Sequence, residues 1–236
     1  MRSPVVCLTV DLEQDCPPFL SGYRGMEEGF PLLLQLFAEE GVPATFFCTG
    51  DVAERYPPAV RALVAQGHEL GCHGMTHARF SELDEAGARD EIDRSSAILR
   101  RFGAVTSFRA PYLSFPAPYL ALLQQAGYDV DCSLAAYKPA GAGARVARAG
   151  LRRLRASIPP SVLRLPRALR EPWLAALRTP VVLFVHPWEF LDLRRTSLRL
   201  DCRYATGEPA LRSLREVIRY YAARGAAFQS ASEAAT

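Results

Sequence analysis

Short apolar runs alternate along this chain with stretches whose apolar residues recur every three or four positions. Residues 5–10 read as a buried strand, 30–40 as a helix closed by Gly41, 44–48 as the next strand and 57–66 as a helix closed by Gly67. A short strand follows at 69–72, then a helix at about 82–102 with Ser81 and Asp84 at capping-box spacing and Gly103 as its stop, then a strand end at 107–109. Residues 116–126 read as a helix before Gly127, 128–132 as a strand, 180–185 as the most continuous apolar strand, and 209–224 as a last helix before Gly225. Strands that alternate with helices build parallel sheets covered on both faces. The prediction is therefore an α/β protein, either a barrel or an open doubly wound sheet.

The rhythm fails between 138 and 179, where Glu171 is the only acid among many arginines and prolines stand at 139, 159, 160, 166 and 172. Residues 145–155 read as a basic amphipathic helix with Val146, Leu151 and Leu154 on one side. That pattern suits an anionic membrane surface or an anionic substrate, and equally a solvated insertion packed on the main fold. Ile158, Pro159, Pro160 and Ser161 read as a short edge strand, where proline is tolerated.

Length and composition add bounds. With 236 residues, 49% of them hydrophobic, the chain can bury a sizeable core as one domain over 1–236, carrying an Arg/Pro-rich insertion at about 138–179. A formal charge of +3 is too small to imply a nucleic-acid partner, although Lys138 is the only lysine among the basic residues. The N-terminal residues run straight into a strand pattern, and no stretch approaches about 18 apolar residues, so a cytoplasmic protein is expected. Peripheral contact with the inner face of a membrane through 138–179 is an additional expectation. The six cysteines show no close paired spacing, which favours reduced thiols; the oligomeric state is not legible.

The candidate chemistry gathers where strands end. His73 and His77 are four residues apart, a spacing that puts both imidazoles on one face of a helical turn and within reach of one divalent ion. Zinc is the default for neutral imidazole ligands, with cobalt, nickel and iron as alternatives. Two unrelated surface histidines are the competing explanation, and a third ligand is needed to decide. The first strand ends in Asp11, Glu13 and Asp15, three carboxylates in five residues, with Cys16, Pro17 and Pro18 following so that no helix starts there. In a parallel barrel such positions line the active face. Arg109, Pro111 and Tyr112 end another strand, Asp131 lies in the next, and His186 caps the most apolar strand before Pro187, Trp188 and Glu189. A histidine there is a candidate acid or base, against the commoner case of a satisfied core group.

As an ordered set, the strand-end aspartate, H-x-x-x-H, R-x-P-Y, an aspartate-bearing strand and an apolar strand ending in His resemble the polysaccharide deacetylase family, metal-dependent hydrolases of N-acetyl groups on sugars. The resemblance runs from about Val5 to Trp188, and His73 to His77 and Arg109 to Tyr112 are its most specific parts. The His-Pro-Trp-Glu ending and Ile-Pro-Pro-Ser stretch look like a branch acting on exopolysaccharide or other N-acetylated glycans. Asp11 to Glu13 and the run from Arg24 to Phe47 also look like a branch with peptidoglycan-type, amide and sugar-formamide hydrolases. The fold implied is an irregular (β/α)7-type barrel.

By the resemblance, Asp11 matches the general base that takes a proton from the attacking water, and Arg109 the residue that pairs with and orients it. His186 matches the general acid for the leaving amine, and Asp131 the carboxylate that orients and charges that histidine. The backbone N–H of Tyr112 completes an oxyanion hole, with Pro111 beside it on the substrate side. Two departures stand out. Relatives carry adjacent aspartates after the first strand, the second binding metal, whereas Leu12 follows Asp11 here. An acid-x-acid spacing makes Glu13 the metal ligand with His73 and His77, and Asp15 the fallback. A tryptophan expected near Asp131 is also missing, and Trp188 stands in to line the site. Three functions follow: an N-deacetylase of a carbohydrate; a metal-dependent hydrolase of another C–N bond, such as a sugar formamide or cyclic amide; and a catalytically inactive glycan-binding barrel. Retention of Asp11, both histidines, Arg109 and His186 argues against the last. The expected partner is a carbohydrate substrate.

Overall fold

The computed structural model describes residues 3–138 and 150–235. Seven parallel strands form the wall: β1 (Val5–Leu12), β2 (Thr45–Cys48), β3 (Glu69–Cys72), β4 (Ser107–Phe108), β5 (Val130–Ala135), β6 (Arg152–Ala156) and β7 (Val181–Val185), in the spatial order β6-β5-β4-β3-β2-β1-β7. A short β8 (Ala227–Phe228) adds to the N-terminal end of β1. The sheet curls until β7 approaches β6, where Ser157 N donates to Val182 O at 2.8 Å, so the barrel is nearly closed. Helices cover the outside, chiefly α1 (Phe30–Glu40), α2 (Gly50–Arg55), α3 (Pro57–Ala65), α4 (Glu85–Leu99), α5 (Leu120–Gln125), α6 (Pro160–Leu163), α7 (Arg167–Ala176), α8 (Leu200–Arg203) and α9 (Glu208–Ala222), with a final turn α10 (Ala231–Ala234).

Strand β1 explains why an apolar run can end in chemistry. Val6, Leu8, Val10 and Leu12 face outward into the main core with Phe30, Leu33, Phe37 and Val217. The alternate residues point into the barrel, where Cys7 packs with Phe47, Val130, Cys132, Leu154, Val182 and Ala231 of α10. The inward series is therefore Cys7, Thr9, Asp11, apolar at the base and acidic at the C-terminal mouth.

Several boundaries differ from the sequence pattern. The stretch beginning at 82 is not continuous helix: a 3₁₀ turn at Phe80–Glu82 precedes α4, and Asp84 is the cap, accepting from Gly87 N at 2.8 Å. A short aspartate at the N-cap can satisfy an orphan amide that Ser81 is too far upstream to reach. The predicted basic helix at 145–155 is overturned in its described part, since Arg152–Ala156 is strand β6; residues 145–149 lie outside the described residues. There the open edge of β5 supplies the hydrogen bonds, Arg152 N donating to Asp129 O at 2.9 Å, and Leu154 faces inward. Ile158 to Ser161 is not an edge strand either. Helix α6 starts at Pro160, as suits a residue with a preset φ and no amide to leave unpaired. Part of the stretch that looked like an insertion is thus barrel wall. No helix among the described residues is long and apolar enough to cross a membrane.

Candidate active site

The C-terminal ends of β1, β3, β4 and β7 converge on one cavity of about 200 Å³, lined by Asp11, Glu13, His73, His77, Tyr112, His186 and Trp188, with Tyr137 and Lys138 at its mouth. Arg109, fully buried just past β4, donates through Nη1 to Asp11 Oδ1 at 2.7 Å and to Thr9 Oγ1 at 2.8 Å, and its guanidinium lies 4.2 Å from the centre of the Phe47 ring. Asp11 therefore has one oxygen fixed by the arginine and the other, Oδ2, facing the cavity.

Glu13 lies just beyond β1. Its Oε2 is 2.6 Å from His77 Nε2 and 3.4 Å from His73 Nε2, and the donor atoms of the three residues all lie within 4.8 Å of one another. Ligands about 2.0–2.2 Å from a tetrahedral ion stand roughly 3.3–3.5 Å apart, so one carboxylate and two imidazoles so placed fit a single divalent metal. His73 donates from Nδ1 to the Arg109 carbonyl at 2.7 Å, which fixes the tautomer and leaves Nε2 free as a ligand. Asp15, the alternative ligand, is engaged elsewhere: its oxygens accept from Arg24 N at 2.9 Å and Gly25 N at 2.8 Å, tying down the loop after β1. Gly25 is required there, because a Cβ would sit 2.6 Å from Trp188 N.

The two histidines do not share a helical turn. Residues 73–79 form an irregular loop in which Gly74 and His77 both have left-handed φ, 77° and 62°. What shapes it is buried Glu91 of α4, which accepts from Met75 N at 2.8 Å, Thr76 N at 3.1 Å and Thr76 Oγ1 at 2.6 Å. A carboxylate that collects three donors replaces the hydrogen bonds a helix would have made.

His186 follows β7 and heads a 3₁₀ turn, Pro187–Phe190. Its Nε2 points into the cavity, 3.9 Å from Asp11 Oδ2 and 3.8 Å from Glu13 Oε1. Its ring stacks on Trp188 with centroids 4.9 Å apart, and the Trp188 indole donates to Glu13 Oε1 at 3.4 Å. The group on its Nδ1 is Glu189, at 2.9 Å, and not Asp131. Asp131 accepts from Arg153 Nε at 2.8 Å and from Ser133 N at 2.9 Å. It is consumed by its register partner on β6, a neighbour invisible until that segment is known to be a strand. Glu189 itself faces Arg164 Nε at 3.0 Å, and Arg164 also donates to the carbonyls of Cys202 and Tyr204. An acid three residues after a strand-end histidine was the available signal for Glu189, and its reach is short because both belong to one turn.

Charge explains the protonation pattern. Burial opposes the His186 imidazolium, but Glu13, the Glu189 hydrogen bond and Asp11 outweigh it and push its pKa up to about 9. Burial likewise works against the Glu13 carboxylate, yet His77, His186 and the histidine hydrogen bonds hold it well below the ordinary range. For Glu189, Arg164 and His186 overcome burial in the same direction.

Tyr112, at the centre of a 3₁₀ turn (Pro111–Leu113), has φ 59°. Its ring meets His77 at 4.8 Å, the Arg79 guanidinium lies 3.9 Å from the ring centre, and its carbonyl accepts from Lys138 Nζ at 2.6 Å. Pro111 is buried and does not line the cavity. Tyr137 and Lys138 carry no motif that sequence reading could have used.

The sequence model of the family described as Polysaccharide deacetylase matches residues 1–130, more than half of the chain, and the protein belongs to that family. Among its relatives, the chitooligosaccharide deacetylase of Bradyrhizobium sp. (strain ANU 289) is 34% identical over 100 residues, 41% of this chain and 46% of that protein. The chain thus matches less than half the length of that relative. A family 4 carbohydrate esterase from Streptomyces lividans in complex with acetate shares the fold with a TM-score of 0.63, at 19% identity, covering 94% of this chain and 90% of that one. A CE4 family pseudoenzyme from Bacillus anthracis also shares it, with a TM-score of 0.68 at 14% identity over 100% of this chain and 66% of that one.

Proposed function

We propose that this protein hydrolyses the amide of an N-acetylated carbohydrate, using one divalent metal ion held by Glu13, His73 and His77, zinc by the chemistry of that donor set with cobalt, nickel and iron as alternatives. One observation carries the reading: beside the three-ligand cluster stand two separately oriented proton-transfer groups, Asp11 fixed by Arg109 and His186 fixed by Glu189, with Oδ2 and Nε2 3.9 Å apart. A glycan-binding barrel needs neither. Because a pseudoenzyme shares the fold, the fold alone carries no activity, and these side chains must supply it. Family membership and the name of the Bradyrhizobium relative support a carbohydrate substrate.

When bound, the metal supplies a Lewis acid that polarises the acyl carbonyl and makes water easier to deprotonate. Asp11 takes the proton of the attacking water on Oδ2 while Arg109 holds Oδ1 and keeps the carboxylate aimed. The Tyr112 N–H serves as an oxyanion donor for the tetrahedral carbon's oxygen. His186 then gives the proton on Nε2 to the leaving nitrogen as the C–N bond breaks; Glu189 on Nδ1 keeps the ring oriented and charged beforehand. Trp188 presents a wall for the sugar. The products are a free amine and acetate, and the proton on Asp11 returns to solvent or His186.

The test is a release assay: metal-loaded protein incubated with N-acetylglucosamine, chitooligosaccharides and the corresponding N-formyl sugar, with acetate and formate quantified. Acetate is the expected product. Formate alone moves the assignment to a deformylase, and neither product from protein with one metal per chain moves it to a binding barrel.

A further inference from the structure

Within the cavity the acids are accounted for: Asp11 by Arg109, Glu13 by two histidines and the Trp188 indole. Lys138 is not. It is the only lysine of the chain, it lines the cavity, and its ammonium makes one hydrogen bond, to the Tyr112 carbonyl at 2.6 Å, leaving two N–H groups unused by the described residues. No carboxylate among the described residues pairs with it, and residues 139–149, which follow it directly, contain no Asp or Glu. The charge that acts on it is another cation, Arg79, whose guanidinium lies over the Tyr112 ring and whose Nε is already paired with Glu82 Oε1 at 3.1 Å. Partial burial and Arg79 push the Lys138 pKa down.

We infer that the substrate carries an anionic substituent, a phosphate ester or a carboxylate, and that Lys138 binds it at the mouth of the cavity. An anion there accepts from the ammonium's remaining N–H groups and offsets the repulsion from Arg79, a charge-assisted contact available only to charged substrates. Tyr112 links the two ends of the site, since its ring touches His77 and its carbonyl anchors Lys138. The anionic group is thereby held beside Tyr112. This inference rests on the deacetylase reading for its substrate class, but its binding test does not.

Two measurements decide it. In the first, calorimetry compares binding of glucosamine 1-phosphate, muramic acid and glucosamine to wild-type, Lys138→Gln and Lys138→Arg proteins, with metal and without. Wild type should bind one of the anionic sugars about 10- to 100-fold tighter than glucosamine, Lys138→Gln should lose that advantage, and Lys138→Arg should regain most of it. Which anionic sugar depends on Lys138 tells phosphate from carboxylate. In the second, the ratio of kcat/KM for N-acetylglucosamine 1-phosphate or N-acetylmuramic acid over N-acetylglucosamine should fall by the same factor in Lys138→Gln, through KM. Equal binding of charged and neutral sugars by wild type overturns the inference. So does an anion preference that survives Lys138→Gln, with metal or without. Absence of acetate release from every substrate, with the Lys138-dependent binding intact, refutes the deacetylase reading and leaves the anion site standing.

Discussion

On one side of the cleft the loop that carries the two histidines is held largely through backbone groups. His73 is fixed by the Arg109 carbonyl, its loop by Gly50 N on Gly74 O at 2.9 Å, Asp51 N on Met75 O at 3.0 Å and the three donors gathered by Glu91. On the other side His186 is held by a chain of buried side chains, Glu189 and then Arg164, which are 1% and 3% exposed. Backbone anchors are neutral and survive most substitutions nearby. Buried ions cost desolvation energy and stabilise only as a pair, so removing one partner leaves the other stranded. The loop carrying His73 and His77, which the family's sequence model covers, is thus held mainly through backbone groups, whereas His186, like Asp11 with Arg109, depends on individual buried charges.

The largest effects should come from breaking the β1–β4 side at its donors. His73→Ala, His77→Ala and Glu13→Gln should each abolish stoichiometric metal, read by elemental analysis of the purified protein, and reduce acetate release to background. Full metal content in both histidine variants would remove the central claim. Next come the proton-transfer groups. Asp11→Asn should cost roughly 10²–10⁴ in rate while keeping metal, whereas His186→Ala should hurt amides and spare an activated ester whose phenoxide leaves without a proton. The amide-to-ester ratio separates the two roles, and equal loss of both activities in His186→Ala with none in Asp11→Asn would show them wrongly assigned.

The β7 side offers a sharper contrast in stability. Arg164→Leu strands the Glu189 carboxylate and should destabilise the protein by about 3–5 kcal/mol, measured by denaturant unfolding. Arg164→Leu with Glu189→Gln should recover much of that loss while the amide activity stays low, because the orienting charge on His186 is gone. A smaller effect lies in pH. In the metal-free protein His186 titrates near 9 in the folded state against an ordinary 6.5, so the folded chain holds a proton that the unfolded chain has released. This contribution to stability is fully present below pH 6.5 and is lost as pH rises through about 9. Thermal unfolding of the metal-free protein should show Tm declining over that window, and His186→Gln should flatten the decline. The smallest expected effect concerns the outer surface of the same side, where α7 exposes Leu169 and Trp173 near Arg167. Co-sedimentation with anionic vesicles at low salt should exceed that with neutral vesicles or at high salt; equal or no binding eliminates a membrane role for 138–179.

How much of this was legible in the chain varies by element. Strands β1, β2, β3 and β7 and helices α1, α3 and α9 declare themselves through local apolar periodicity, because each buries its own face whatever its neighbours are. The acids ending β1 and the histidine ending β7 are equally plain, since a buried apolar run that stops at an ionisable group must stop at the mouth of the barrel. Residues 152–156 defeated that logic: three arginines in five residues suggest a solvated helix, and only the unpaired edge of β5 makes them a strand.

The family, the parallel α/β architecture and the candidacy of Asp11, Glu13, His73, His77, Arg109 and His186 follow from the chain alone, because residue type and strand-end position are local properties. Their partners follow only from the packing. It gave Asp131 to Arg153, handed His186 to Glu189 and Arg164, freed Glu13 for the histidines by engaging Asp15 with Arg24 N and Gly25 N, and bent residues 73–79 around Glu91 where a helical turn was expected. A buried charge takes whichever opposite charge or donor the packing brings within about 3 Å, and that neighbour lies far away in sequence as often as near.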